Sequence, residues 1–452
     1  MKDMKNHYNI LIVSAYPPSR SAGLAQDMMT GLEKEGHNVD FFTMYAFKGQ
    51  KENQYCIYPE PVTDKLKRIK QMFPFLQKFK KVVKVFFKTP EDKMTSVENH
   101  GYRIPHYNEA EPPVDDETLR RFLPDKKYDF IMTYVTERMI TTPSFVTIYE
   151  KYKAPLLIVC MDMLHFTGGC YFFGDCRRFM QGCGKCLVLD SDDENDQTHK
   201  NYLIKASVYP KIEYALLCNT YMKQFGDKCG LFPPDKIFTF GTLIDEEIFK
   251  PGDSEECRKY FGISNCKKFV ILARYVPGMD RAKGYGHMID IINILYDMLS
   301  VEERKDCLLV LIGSEDDGIS KKMKLDTVCL GYMNLQDLVK SYNASSVFIS
   351  TSIDDAGPSM VNQSMMCGTP VVTFSIGTAL DVTREGINGY SANNFDDEDF
   401  ANKILEIYRM ENNDYLQMRK ATRESAIEMT SKSVIAKRVI DIYEATKEIY
   451  SV

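Results

Sequence analysis

The chain has 452 residues, enough for two or three domains at roughly 100 to 200 residues each. Its 57 Lys and Arg against 63 Asp and Glu leave a net charge of -6, so nothing marks it as a general nucleic-acid binder, and its ordinary Gly and Pro content excludes a disordered or collagen-like chain. The 13 cysteines are odd in number and sit mostly in apolar segments such as LLIVC and YALLC, where free thiols act as small hydrophobes, so no disulfide framework is expected.

The N-terminal MKDMKNHYNILIVSAYPP holds an apolar run too short for a signal peptide or a membrane span, interrupted by Ser14 and the Pro17-Pro18 pair. It reads as the buried first strand of a cytoplasmic protein. GLAQDMMTGLEKEG follows with Leu24, Met28 and Leu32 on one helical face, and NVDFFTM resumes as strand. That order opens a parallel α/β sheet.

The stretch of about 45–127 fits neither pattern and reads as an insertion. Within it, KLKRIKQMFPFLQKFKKVVKVFFK runs from Lys65 to Lys88 without an acid. Ile69, Met72, Leu76, Phe79, Val83 and Phe86 recur there at helical spacing with basic residues around them. Two readings stay open. One is an interfacial helix on an anionic membrane surface, where each Lys or Arg is worth about 1 kcal/mol. The other is an amphipathic surface helix broken at Pro74.

The runs YDFIMTYV, APLLIVCMD, YALLCNT and KIFTFGT, starting at Tyr128, Ala154, Tyr214 and Lys236, complete the first sheet. Between the second and third lies a Cys-rich segment, about 160–190, with Cys170, Cys176, Cys183 and Cys186 in the pattern C-x5-C-x6-C-x2-C. A reducing compartment favours metal over disulfide, and the Cys183–Cys186 pair has zinc-knuckle spacing. The first pair is looser, so a structural zinc and free packed thiols both remain open; a catalytic zinc is not expected. His165 beside Phe166 reads as a satisfied core side chain rather than a base.

LIDEEIFKPGDS breaks the pattern, which restarts with KFVILARY, a helix from Tyr285 to Leu299, CLLVLIGS, DTVCLGYM, the helix NLQDLVKSYNAS, SVFIST, a short helix and PVVTFS. The expected domains are 1–245 and 246–430. The final segment, 431–452, reads as one amphipathic helix with Val434, Val439, Ile442 and Ile449 among its apolar positions. Doubly wound halves of this kind take ligands outside the C-terminal ends of their strands.

Two motifs fall at such ends. In DDAGPSMVNQSMMCGTPVV, Pro358 suits the first helical position and Gly368 the position after the last, which predicts a helix from Pro358 to Cys367. Its N-terminus suits phosphate or sugar oxygens, and Gly357 leaves a ligand room near the backbone. Asp355 either accepts sugar hydroxyls or caps the helix. In ILARYVPGMDRAKGYG, Arg274 ends a strand and Lys283 precedes a glycine that opens the next helix. Two such cations neutralise a diphosphate leaving group, or form a solvated loop pair.

The order FGTLIDEEIFKPGD, ARYVPGMDRAKG, DDAGPSMVNQSMMCGTPVV, EGINGY resembles the C-terminal domain of glycosyltransferase family 4. MDMLHFTGGCYFFGDCRRFMQGCGKC is similar to a cysteine-bearing segment of that family's bacterial polysaccharide members, so the resemblance covers nearly the whole chain. It implies an α/β GT-B fold: two Rossmann-like domains facing across a cleft, with the C-terminal helix crossing back. It also implies a retaining, metal-independent transferase that moves a sugar from a nucleotide-diphosphate-sugar to a saccharide or lipid-linked saccharide in surface polysaccharide or exopolysaccharide synthesis. No cofactor is expected for catalysis and no nucleic-acid partner. The expected location is the cytoplasm, peripheral on the inner membrane face.

By the same resemblance, Arg274 and Lys283 bind the donor diphosphate, and Asp355 with the backbone of Ala356, Gly357 and Ser359 holds the donor sugar. Gln363 faces the ribose, Asp162 serves the acceptor side, and Gly23 in SRSAGLAQ approaches the donor phosphate or acceptor. Two positions depart from the family pattern. Asp355 and Gln363 stand where an E-x7-E pair is usual, and Met161 stands where a histidine commonly precedes Asp162. These departures keep a degenerate nucleotide-sugar-binding scaffold in view. A nucleotide-sugar 2-epimerase, on a related fold, lacks an evident carboxylate and histidine set here.

Overall fold

The computed structural model describes residues 7–16, 23–46, 51–59, 96–263, 267–278 and 280–451. The basic stretch from Lys65 to Lys88 lies outside the described residues. The chain divides into two compact units, one of Met1–Cys218, Lys223–Phe240 and Ala436–Val452, the other of Asn219–Met222 and Gly241–Ile435.

In the first unit, strands β1 (Asn9–Ser14), β2 (Asn38–Tyr45) and β3 (Gln54–Tyr58) precede a small antiparallel pair, β4 (Val97–Asn99) and β5 (Tyr102–Ile104). Then come β6 (Phe130–Tyr134), β7 (Leu156–Val159), β8 (Tyr214–Cys218) and β9 (Ile237–Thr239). The main sheet has the order β3-β2-β1-β6-β7-β8-β9, and every pair in it is parallel. Strands Ile10–Val13 and Leu156–Ile158 have no exposed surface, which is why they read as unbroken apolar runs rather than alternating ones. β3 lies inside the stretch expected as an insertion; it pairs with β2 and is the sheet's edge strand. Its sequence QYCIY is short and only half-buried, so its strand signal is weak.

The second unit holds β10 (Phe269–Arg274), β11 (Cys307–Ile312), β12 (Thr327–Cys329), β13 (Val347–Ser350), β14 (Val371–Phe374) and β15 (Gly389–Ala392). Their order is β12-β11-β10-β13-β14-β15, again all parallel. This is the doubly wound arrangement whose strand order reverses between the first and fourth strands, here β10 and β13. Alternation along these strands sends Ile271, Leu309 and Ile349 to one face and Leu272, Val310 and Phe348 to the other. Helix Tyr285–Met298 covers the first face through Met288, Ile291, Ile292 and Leu295; helix Ser359–Met366 covers the second through Val361, Met365 and Met366.

The last helix, Lys432–Tyr450, begins in the second unit, where the Lys432 ammonium lies 2.7 Å from the Asp245 carboxylate. From Ala436 onward it belongs to the first unit, where Tyr443 packs on Phe130 with ring centroids 4.5 Å apart. A C-terminal helix that crosses back to the first domain is thus part of the fold.

Candidate active site

Arg274 is the last residue of β10 and the only exposed one on that strand. Beyond it the chain turns through a four-residue helix, Asp280–Lys283, to Gly284. Gly284 has φ +62°, and a Cβ there would sit 2.1 Å from the Thr351 carbonyl oxygen, so the turn closes only with glycine. The tightness ties two loops together. Ile353 and Asp354 donate their backbone N–H groups to the Ala282 carbonyl at 3.0 and 3.2 Å, and the Thr351 hydroxyl donates to the Lys283 carbonyl at 3.1 Å.

That lacing sets Lys283 against Asp355, and the two form an ion pair almost shielded from solvent. The Asp355 carboxylate also accepts the Ser352 hydroxyl at 3.2 Å and the Gly357 N–H at 3.1 Å. It therefore does not cap the following helix. Pro358 occupies the cap position with an extended ψ of 94° and no side-chain hydrogen bond, and the helix spans Ser359–Met366. The expected helix from Pro358 to Cys367 is one residue too long at each end, because the Pro358 backbone is not helical. Its stop is as read: Gly368, at φ +74°, and Thr369 donate N–H groups back to Met365 and Ser364 in a Schellman closure.

Together these segments line a pocket of about 160 Å³ at the C-terminal ends of β10 and β13, the reversal point of the sheet. Arg274, Lys283, Gly357 and Ser359 line it with Tyr285 and Ser352. Asp355 lies directly behind, through Lys283 and Ser352. Ala356 is buried, and its carbonyl accepts the Asn219 side-chain amide. Gln363 is not on the pocket wall; its side-chain carbonyl accepts the hydroxyl of the buried Tyr342 at 2.9 Å. Ser352 and Tyr285 were not singled out from sequence. A run of small hydroxyl residues at the end of β13, Ser350 to Ser352, was the available signal for the first.

The remaining predicted residues belong to the first unit. Gly23 is the first residue of helix Gly23–Lys34, and no described atom lies within 4 Å of a Cβ built there. Asp162 follows β7 and accepts the Leu164 N–H at 2.8 Å. Burial and the negative charge of nearby Glu137 push its carboxyl up to about 8. Burial also raises Glu137, whose carboxylate accepts the Tyr171 hydroxyl at 2.8 Å. Met161 is exposed. His165 stacks on Phe145 and shares a 3.3 Å hydrogen bond with the Tyr209 hydroxyl. Burial and the charge of Lys205 hold it down at about 4, so it stays neutral as a packed side chain.

The raised Asp162 value has a definite pH signature. A carboxyl whose folded value lies above its unfolded one favours the folded state fully below about pH 4, and that contribution is lost as pH rises toward about 8. Asp162→Asn keeps the oxygen that accepts from Leu164 but cannot ionise. It should match the wild type near pH 4 and exceed it by about 1–2 kcal/mol at pH 8, a figure discounted for partial solvent screening. Urea unfolding across that range is the measurement; a difference that does not change with pH would refute the assignment.

Cys170, Cys176, Cys183 and Cys186 all line one second, small pocket in the first unit, and none is in a disulfide. Among the described residues no group of three or more His, Cys, Asp or Glu side chains is arranged as a ready-made metal site. Among the described residues, too, no helix is long and apolar enough to cross a membrane.

Residues 256–428 are similar to the glycosyl transferases group 1 family. That match covers less than half of the chain. The matched residues include Arg274, Lys283 and every residue from Asp355 to Gln363, and thus the whole pocket.

The chain is 24% identical over 311 residues to an uncharacterized glycosyltransferase of Methanocaldococcus jannaschii, covering 64% of this chain and 74% of that one. It is 22% identical over 188 residues to D-inositol 3-phosphate glycosyltransferase 1 of Catenulispora acidiphila, where the match covers 38% of this chain and 43% of that one. Less than half of the inositol phosphate enzyme is thus matched. Among solved structures, Anabaena HepE in complex with UDP-glucose superposes with a TM-score of 0.57 at 13% identity, covering 99% of this chain and all of that one. Likeness over the full length establishes the GT-B fold.

Proposed function

We propose that this chain is a retaining glycosyltransferase that moves a sugar from a nucleotide-diphosphate-sugar to a saccharide or lipid-linked saccharide hydroxyl, in surface polysaccharide assembly. The observation that carries the reading is the convergence of Arg274, Lys283 and the start of helix Ser359–Met366 on one pocket at the reversal point of the second sheet. Convergent positive charge in a partly enclosed pocket suits a diphosphate. HepE, which shares the fold, is solved with UDP-glucose bound, which supports a donor of that class.

In this reading Arg274 and Lys283 hold the diphosphate oxygens. The bond from the sugar's anomeric carbon to phosphate breaks, the acceptor oxygen bonds to that carbon on the same face, and the acceptor proton passes to the departing phosphate oxygen. Positive charge placed beforehand where the leaving group gains negative charge lowers the barrier most. Asp355, held by Lys283, Ser352 and the Gly357 N–H, positions sugar hydroxyls rather than attacking the sugar. Asp162, kept protonated near neutral pH, is the acceptor-side candidate, a donor or acceptor of hydrogen bonds to a hydroxyl. The two cations make a diphosphate-bridging metal unnecessary. Gln363, with its carbonyl engaged by Tyr342, has its amide group to offer a ribose hydroxyl. An anionic membrane surface contacted between Lys65 and Lys88 would bring lipid-linked acceptors near, and belongs to the same proposal.

Gly357 supplies the test. A Cβ there would meet Asn219, Thr378 and Thr242 at 3.5–3.8 Å, ordinary contact distances, so the fold itself does not require glycine. Gly357→Ala should unfold at the wild-type temperature yet bind its donor about tenfold more weakly, about 1.4 kcal/mol. Purified protein would be screened against UDP-, GDP- and ADP-sugars by thermal shift, with nucleotide release then followed in membrane lipid extract. A selective shift with release, both diminished in Gly357→Ala, supports transfer. Conversion of the donor without cleavage would indicate an epimerase, and binding without release a scaffold.

A further inference from the structure

The segment from the end of β7 at Val159 to the helix that starts at Gln197 contains no strand and no α-helix, only the short 3-10 turns Leu164–Phe166, Arg178–Gln181 and Leu187–Leu189. Loops of that length without strand or α-helix are uncommon in a compact domain and usually have a function. Phe166, Phe173 and Phe179 are buried and anchor part of the segment, while around the cysteines the apolar cluster has three buried members, Tyr102, Ile104 and Val188, with Cys170 and Cys186 packed against them.

We infer that Cys170, Cys176, Cys183 and Cys186 together bind one structural zinc-type ion that staples this segment. All four side chains line a single pocket of about 30 Å³, room for an ion or a water and too little for an organic ligand. The Cys183–Cys186 turn is held in a tight bend, with the Cys183 N–H donating to the Arg178 carbonyl at 2.9 Å and the Lys185 N–H to the Asp193 carbonyl at 2.8 Å. Cys183, Gly184 and Lys185 are consecutive left-handed residues, with φ of +60°, +87° and +46°. Two of them are not glycine, a conformation that costs of order 1 kcal/mol or more each and persists only when its surroundings enforce it. A Cβ on Gly184 would come 2.1 Å from the Glu194 carbonyl oxygen, so the tight turn depends on glycine.

One backbone donor is already aimed at a sulfur. The Gly168 N–H donates to Cys183 Sγ at 3.2 Å, and the Cys170 thiol hydrogen-bonds the Cys186 sulfur. Such N–H donors stabilise thiolates and orient them toward a cation. The four side chains are not arranged as a ready-made metal site among the described residues. Metal binding releases their protons to solvent and exchanges S–H contacts for metal–sulfur bonds, so closure requires side-chain rotation about a shared pocket. Four thiolates and a divalent ion leave two negative charges, and Arg178 on the pocket wall is placed to offset them. Four sulfur donors favour zinc over harder cations.

The test uses full-length protein purified without chelator, with metal content measured by mass spectrometry. About one zinc per chain is expected, released as a mercurial thiol reagent consumes the four thiols. A strong chelator should lower the unfolding midpoint of the wild type, and zinc chloride should restore it. Cobalt(II) loaded in place of zinc should show thiolate-to-metal charge-transfer absorption. Cys183→Ser and Cys186→Ser should each lose most of the metal, whereas Cys257→Ser, outside the segment, should keep it. Wild type without bound metal and indifferent to both chelator and zinc would overturn the inference, and so would a disulfide joining any two of the four. The wild-type measurements decide the matter even where a serine variant fails to fold, and none depends on transferase activity.

Discussion

Arg274→Ala is expected to slow sugar transfer by about 10²–10³-fold, equivalent to about 2.7–4 kcal/mol of lost stabilisation of the departing diphosphate. The effect should appear in kcat as well as kcat/KM, because the interaction strengthens as the leaving group gains charge. Stability should stay within about 0.5 kcal/mol of wild type, since Arg274 ends β10 exposed and makes no hydrogen bond or ion pair among the described residues. That separation makes it a cleaner probe than Lys283. Removing Lys283 strips the buried Asp355 carboxylate of its cation and confounds chemistry with folding. Arg274→Lys should recover part of the rate, because a point charge replaces a bidentate fork. Unchanged turnover in Arg274→Ala would remove this residue from the donor site.

The second large effect concerns a pair that the sequence conceals. Lys205 is fully buried on helix Gln197–Val208, 3.3 Å from the buried Glu109 carboxylate. Its ammonium donates to the carbonyls of Leu164 at 2.6 Å and Thr167 at 2.9 Å, and so pins the segment that carries Asp162 and His165. Burial alone would raise Glu109, but the Lys205 charge and the Thr142 N–H bring it below the ordinary carboxylate range. Lys205→Met should destabilise the protein by about 3–5 kcal/mol, because Glu109 is left charged and unpaired in the interior. Glu109→Gln keeps an oxygen for the Thr142 N–H, and the double variant should lose clearly less than the sum of the two single changes. Strict additivity in denaturant unfolding would show that the two residues do not act as a pair.

The parts of the candidate site legible in sequence share one property: they are local. Arg274 is readable because an apolar run stops on it, and Lys283 because a glycine follows within one turn. Gly368 marks its helix end because its left-handed backbone admits few other residues. Asp355 was legible as a candidate but not as a role. Sequence left sugar ligand and helix cap open, and the cap is excluded only by the Pro358 dihedral and by where the carboxylate's hydrogen bonds go. The contact of Gln363 with Tyr342 joins residues on different helices, which no spacing rule reaches.

Sequence by itself determined that the chain is built of two parallel α/β halves, because strands buried on both faces must be continuously apolar and their crossover helices must be amphipathic. It also marked the strand ends where a ligand is bound in such sheets. Only the tertiary structure decided that β10 and β13 are the neighbours at the reversal point, which brings Arg274 beside the loop that leads to Asp355. It alone placed Lys205 on Glu109 and gathered four cysteines spread over seventeen positions around one pocket. Strand order and long-range pairing arise from which buried faces fit together, and that is a property of the packed whole rather than of any window of sequence.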